Sequence, residues 1–324
     1  AGQGRVPSPL ELLEARVDVH VASASARGGE GRDGRSLVSG AARPTGAAAG
    51  AGGDEMDVID RHGAPPPGTW RTAADGSEVA DALAGAVAVR AVEVVGAVPS
   101  TQDVARERAR LGAPSGTLVV AERQTAGRGR VGRSWDDDAR PGASLAATLL
   151  LGPELAAAER AGLVPLALGL AVLEAVAPWL GTRPGLKWPN DVVVRVGGAV
   201  RKVAGLLVER DDAAVAAGPV LLAGIGLNID RRHLPSEADR AGVADLADAD
   251  VAPAALLGGL VRGLDVALGL LAADPADLLA RYRDRSDTCG RDVRVLLPDG
   301  AELLGRADVD DAGRLTLRSA SGSR

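Results

Sequence analysis

From Ser77 onward the chain switches between two hydrophobic periods. Glu78 to Val89 and Thr101 to Leu111 space their apolar residues as helices do; Ser100 opens the second and Gly112 closes it, a Gly just past a helix end being a usual stop signal. Arg90 to Val95, Thr117 to Arg123 and Ser144 to Leu151 are short β-like runs. Gly162 to Leu180 is almost wholly apolar and predicts a helix covering a sheet. Asp191 to Val196 and Ala199 to Arg210 flank Gly197-Gly198, and a two-residue Gly-Gly loop suits a primed hairpin turn that matches strand twist. Pro219 to Asp230 predicts another strand, and Val251 to Arg285 is mainly helical with a break at Asp274-Pro275. From Gly290 the period falls to two, over Asp292 to Leu297, a Pro298-Asp299-Gly300 turn, Ala301 to Val309 and Arg314 to Arg318. Helices around a mixed, mostly antiparallel central sheet, with a small appended β unit, make this an α+β chain.

Residues 1–76 lack that periodicity. They are dominated by Gly, Ala, Ser, Arg and Pro, a composition that buries too little apolar surface to offset ordering entropy. The reading is a disordered extension over 1–76, a catalytic domain over 77–287 and a small β domain over 288–324. A short helix over Leu10 to Val19 is the one local exception. The chain's single methionine is Met56, so translation starting there, with 1–55 as upstream read-through, is an expectation that mass spectrometry of the natural N-terminus tests.

Composition then narrows the chemistry. Net charge is −6, so no global basic field recruits nucleic acid or an acidic membrane surface. One cysteine, Cys289, cannot form an intramolecular disulfide, which fits a reducing compartment. His20, His62 and His233 are scattered and give no metal-ligand spacing. The apolar run at 162–180 nearly reaches the ~20 residues that span a bilayer. It is interrupted by Pro165, Gly169, Glu174 and Pro178, as a buried helix can be. With no signal-peptide pattern, the chain reads as soluble and cytoplasmic, a monomer or weak homodimer, with no membrane partner.

Two residue types are conspicuously rare. Only Lys187 and Lys202 are lysines among the 37 basic residues, and Asn190 and Asn228 are the only asparagines. All four lie in Lys187-Trp188-Pro189-Asn190-Asp191, Arg201-Lys202 and Gly224-Ile225-Gly226-Leu227-Asn228. Where arginine serves everywhere else, a lysine marks a place for a compact ammonium on a flexible stem. Upstream, Gln124 to Arg133 carries G-x-G-x-x-G at Gly127, Gly129 and Gly132. A dinucleotide site needs a helix opening at the last Gly, but Ser134 to Gly142 reads as a loop; no Gly-Lys-Ser/Thr follows for a P-loop. Three glycines and three arginines instead suit a mobile flap that closes over an anion, with a solvated basic loop as the plain alternative.

Gln124 to Trp135, Lys187 to Asp191, Arg201 to Gly205 and Gly224 to Asn228, with Ser100-Thr101 upstream, together resemble biotin protein ligases. The resemblance runs from about Val89 to Arg318. It implies a biotin/lipoate ligase-like catalytic domain and an SH3-like C-terminal barrel. It also implies two half-reactions: biotin's carboxylate attacks the α-phosphorus of ATP, and a lysine of a biotin carboxyl carrier domain then takes biotin from the adenylate. ATP with Mg²⁺ is the implied co-substrate and biotin the substrate, without a tightly bound prosthetic group. Biotin would meet Ser100, Thr101, Gln102, Gln124, Arg128, Gly129, Arg130, Lys202, Gly205 and Gly224. Nucleotide would meet Arg130, Arg133, Trp135, Lys187, Asn190, Gly226 and Asn228. The resemblance puts the catalytic charge on Lys202, Arg128 and Arg130, and leaves Asp191 to hold a lysine, hold a Mg²⁺-bound water or cap the turn. Plainer roles stand beside these: an ion pair for Lys187, core filling for Trp135, and a capping box of Ser100 with Asp103.

Nothing before Ser77 pairs two apolar-faced helices around a tight turn, so no DNA partner is expected. The chain's last residues follow the Leu315-Thr316-Leu317 strand closely, and the small barrel therefore looks short by one or two strands. Lipoate ligases and octanoyl transferases, which share the implied fold, are the enzymatic alternative. A DNA-binding regulator is the non-enzymatic one, which salt-dependent DNA retention would reveal.

Overall fold

The computed structural model describes residues 18–21, 70–135, 142–215, 218–230, 245–246, 251–297 and 299–318. In chain order the elements are β1 (Asp18–Val21), α1 (Trp70–Ala74), α2 (Ser77–Ala84), β2 (Ala91–Val98), α3 (Thr101–Arg110), β3 (Thr117–Gln124), β4 (Gly127–Arg128), β5 (Ser134–Trp135) and β6 (Ser144–Leu151). They continue as α4 (Val164–Val176), β7 (Gly185–Lys187), β8 (Asp191–Val196), β9 (Ala199–Val215), β10 (Gly218–Asn228), α5 (Pro253–Ala273), α6 (Pro275–Arg285), β11 (Asp292–Leu296), β12 (Glu302–Val309) and β13 (Leu315–Arg318).

The central sheet has seven strands in the order β2-β3-β6-β10-β9-β8-β7. Only β2 and β3 run parallel; the other neighbours are antiparallel. The β8–β9 hairpin turns at Gly197 and Gly198 with φ of 59° and 83°, the left-handed pair a type I′ turn requires. One face of the sheet carries α4, in which every residue but Glu174 is buried. The run at 162–180 is thus a covering helix. Across it lies α5, where a Cβ on Gly263 would stand 2.6 Å from the Ala171 carbonyl oxygen, so only glycine admits this approach. Among the described residues α5 is the one helix long and apolar enough to cross a membrane, and half of its apolar window is buried in the protein. The other face carries α3, whose Ala105 and Ala109 pack on Val119, Leu150, Val220 and Leu222.

Order begins earlier than the composition predicts. Trp70 is buried and donates its indole N–H to the Ser144 carbonyl at 3.1 Å. The α1 amides of Trp70 and Arg71 donate to the Glu122 carboxylate of β3 at 3.2 and 2.8 Å, an acidic group at a helix N-terminus where the dipole favours it. Part of the low-complexity extension is ordered too: Asp18–Val21 is a strand, in place of the C-terminal end of the helix expected over Leu10 to Val19. It pairs antiparallel with β11. The rest of that helix and Met56 lie outside the described residues, as do Asp136 to Pro141 and Pro298.

β1 and the three C-terminal strands form a four-stranded sheet ordered β1-β11-β12-β13. This sheet is bolted to the turn between β7 and β8. Trp188, wholly buried, donates its backbone N–H to Thr288 Oγ1 and its indole N–H to the Gly313 carbonyl, both at 3.0 Å. Asp287 accepts a bidentate pair from Arg195 at 2.9 Å.

Candidate active site

Three glycines make the floor. Gly226 of β10 stands opposite Gly205 of β9, with Gly224 two residues away on the same face of the strand. A Cβ on Gly226 would fall 2.5 Å from Trp135 Cε2, and one on Gly205 would fall 2.6 Å from Lys202 Nζ and 3.0 Å from Trp135 Cζ3. On Gly224 it would fall 2.6 Å from Gln102 Nε2. Bare backbone here lets side chains of other elements lie directly on the sheet.

The first turn of α3 forms one wall. Ser100 caps the helix, its hydroxyl accepting from the Gln102 amide at 3.3 Å. The capping box expected with Asp103 does not close: the Asp103 amide donates to the Ser100 carbonyl and its carboxylate turns to arginines. Thr101 donates its backbone N–H and its hydroxyl to Gln124 Oε1 at 2.8 and 3.0 Å, and its hydroxyl meets Thr148 Oγ1 at 2.8 Å. Gln102 is 3% exposed; its Nε2 donates to the Leu207 carbonyl at 2.8 Å while its Oε1 is buried without a hydrogen-bond partner.

The Gly-Arg segment is a flap hairpin: β4 pairs with β5, Gly127 opposite Trp135 and Arg128 opposite Ser134. Its tip is a short 3₁₀ turn over Arg130–Gly132, with Val131 at φ 58°, a strained value for a β-branched residue. Trp135 reaches back over the glycine floor. Arg130 donates to Asn190 Oδ1 at 3.0 Å, and Asn190 Nδ2 donates to the Leu206 carbonyl at 2.8 Å.

Lys202 of β9 completes the site. Its ammonium lies 2.7 Å from Asp191 Oδ1 and 5.6 Å from the Trp135 ring centroid, within cation–π range. Asp191 therefore holds a lysine, one of the roles open to it. Asn228 Nδ2 donates to the Lys202 carbonyl at 3.2 Å.

Ser100, Thr101, Gln102, Gln124, Arg128, Gly129, Arg130, Trp135, Asn190, Lys202, Gly205, Gly224 and Gly226 line one cavity of about 50 Å³. Trp135 lies over Gly205 and Gly226, so a ligand in this cavity shares space with the indole. Three expected residues lie elsewhere. Arg133 is exposed on the outer side of the flap, Lys187 sits at the end of β7 opposite Asp191, and Asn228 supports Lys202 without lining the cavity. Ala147, Leu206, Leu207 and Ile225 also line it, with Thr148 behind Thr101; small and aliphatic strand residues give no chemical signal in a sequence. A separate apolar groove of about 870 Å³ between α4, α5 and α6 contains none of these residues.

Arg128, expected among the catalytic charges, lines the cavity but commits its guanidinium to Asp103. Both Nη atoms donate to Asp103 at 2.8 Å. The Arg128 guanidinium, by hydrogen bonding first, holds the Asp103 carboxyl below its usual range against the opposing cost of burial. Asp103 reciprocally raises the Arg128 pKa.

The cavity thus combines a glycine floor, a flap carrying Arg128 and Arg130, a lysine and an amide wall. Residues 94–228 match the biotin/lipoate A/B protein ligase family. A biotin–[acetyl-CoA-carboxylase] ligase of Mycobacterium tuberculosis (strain ATCC 25618 / H37Rv) is 38% identical over 233 residues, 70% of this chain and 83% of that protein. The bifunctional ligase/repressor BirA of Escherichia coli (strain K12) is 30% identical over 207 residues, 63% of this chain and 62% of that protein. The biotin protein ligase of Aquifex aeolicus in complex with biotin and ATP superposes with a TM-score of 0.57 at 26% identity, covering 72% of this chain and 94% of that one. The chain belongs to the biotin/lipoate A/B protein ligase family.

Proposed function

We infer that this chain is an ATP-dependent, AMP-forming biotin protein ligase. The observation that carries biotin over lipoate is Gln102 Oε1, a buried acceptor without a partner. A buried polar atom left unsatisfied costs about 1–3 kcal/mol, so the site asks its ligand for a donor. Biotin's ureido ring has N–H groups to offer; a dithiolane ring has none. Thr101, Gln124 and Ser100 form the rest of that polar end.

In the first half-reaction a biotin carboxylate oxygen attacks the α-phosphorus of ATP, the bond to the β-phosphate oxygen breaks, and pyrophosphate leaves. Two anions must approach, so positive charge belongs where charge accumulates in the transition state. Lys202 supplies it: Asp191 orients the ammonium, and the flexible lysine stem lets it follow charge from carboxylate to phosphate oxygen. Arg130 closes from above, steered by Asn190, and Trp135 seals the apolar side. ATP brings its Mg²⁺ as part of the substrate. In the second half-reaction a neutral lysine amine of the acceptor attacks the anhydride carbonyl, AMP departs, and the new amide sheds a proton. The acceptor is a biotin carboxyl carrier domain, in keeping with the M. tuberculosis relative's name.

The test is ATP–pyrophosphate exchange by the purified protein. Exchange that depends on biotin and is not restored by lipoate supports this reading. Exchange with lipoate alone would replace it by the lipoate ligase alternative, and none with either acid, in a folded sample, would overturn it.

A further inference from the structure

The flap is tethered at three points. Two lie where ligand must sit: Arg130 on Asn190, and Trp135 over Gly205 and Gly226. The third is the fork of Arg128 on Asp103, with both oxygens engaged at 2.8 Å. Asp103 stands in the first turn of α3, directly after the cavity residues Thr101 and Gln102. Its carboxylate also accepts from Arg106 at 2.8 Å, and Arg106 is anchored on β9 by Glu209 at 2.7 Å and Asp211 at 3.1 Å. Arg128 itself lies 3.7 Å from Glu209. Flap, helix and sheet therefore meet in one cluster of three carboxylates and two guanidiniums.

We propose that the Asp103–Arg128 pair is a latch, separate from the reacting groups, that sets how long the flap stays shut over the bound adenylate. Asp103 is a positioning residue acting through Arg128. Ligand in the cavity competes with the two inner contacts, because it shares the space of Trp135 and draws on Arg130. The outer tether is partly exposed and re-forms when the flap closes on the ligand, which is what a latch requires. A bidentate arginine–carboxylate pair is the geometry in which a partly exposed ion pair has a measurable effect, and it fixes direction as well as distance. The enzyme gains a way to hold a reactive anhydride until the acceptor lysine arrives, leaving Lys202 and Arg130 to the reaction.

The latch rests on the ligase reading, and the experiment separates the two. Biotinyl-5′-adenylate is added ready-made to the full chain, and its release is timed after dilution into excess unlabelled adenylate. Asp103→Asn, which keeps the shape but loses the charge, should release about three- to fivefold faster. Arg106→Gln, which removes Asp103's other partner and spares Arg128, should stay within about twofold of wild type. The charge exchange Asp103→Arg with Arg128→Asp should restore slow release. Raising NaCl from about 0.05 to about 0.5 M should speed release from the wild type and leave Asp103→Asn nearly unchanged, because an exposed pair is screened. A wild type that does not retain the adenylate overturns the ligase reading and the latch with it. A wild type that retains it beside an Asp103→Asn variant that releases it no faster, or an exchange variant that stays fast, overturns the latch alone.

Discussion

Gly226 lies directly beneath Trp135: a Cβ at residue 226 would stand 2.5 Å from Cε2 of the indole and 2.7 Å from Cζ2. The flap's aromatic ring and the strand's bare backbone are therefore a single fitted surface, and the ligand must share it. Gly226→Val should push the ring off the sheet and lower affinity for biotinyl-5′-adenylate by 10²-fold or more, on the order of the ~3 kcal/mol that core overpacking costs. Titration calorimetry on a variant with wild-type circular dichroism checks this; unchanged affinity would remove Trp135 from the site.

Lys202→Ala should reduce biotin adenylation by roughly 10²–10³, the scale of one lost electrostatic donor. Asp191→Asn should reduce it less, since the ammonium remains but loses its partner at 2.7 Å. Pyrophosphate exchange at saturating substrates measures both. Equal losses for the two variants would mean that Asp191 itself meets the nucleotide.

Trp188→Phe deletes the indole N–H that donates to the Gly313 carbonyl at 3.0 Å. The stranded buried carbonyl should cost about 1–3 kcal/mol, read as a lower Tm. Because Trp188 precedes Asn190 in the same turn, the KM for ATP should rise while the affinity for biotin changes little. A stability loss with both constants unchanged would reduce the C-terminal sheet to scaffolding.

Tyr282 is buried, its hydroxyl has no partner, and burial raises its pKa well above the ordinary value near 10. A folded-state pKa above the unfolded one leaves stability intact below about pH 10 and erodes it as pH climbs through the shifted value. Tyr282→Phe should flatten that alkaline loss and, by removing an unsatisfied buried hydroxyl, match or exceed wild-type stability near neutrality. Urea unfolding between pH 7 and 11 tests both; a variant less stable at pH 7 would mean the hydroxyl has a partner.

Much of the fold was legible along the chain. The Gly197-Gly198 turn, the Ser144–Leu151 strand and the break before Pro275 stand where local periodicity and turn chemistry put them. Trp70 was not legible. A lone aromatic after Pro65-Pro66-Pro67 and Gly68 carries no period, and its order comes from Glu122 and Ser144, more than fifty residues away. The strand Asp18–Val21 is similar, since its pairing partner β11 lies at the other end of the chain.

By itself the sequence determined the inventory of the site: two lysines, two asparagines and a Gly-Arg flap, concentrated in segments whose local patterns already prescribe strands and turns. The tertiary structure decided which of them meet. Register sets Gly205 opposite Gly226, and since a one-residue slip reverses every side chain in a strand, no local reading places Lys202 over the floor and Lys187 outside the cavity. The flap's hairpin likewise turns Arg130 toward Asn190 and Arg128 toward Asp103, and leaves Arg133 exposed and outside the cavity. Those arginines sit in nearly identical local contexts, and what separates them is the partner that long-range folding brings to each.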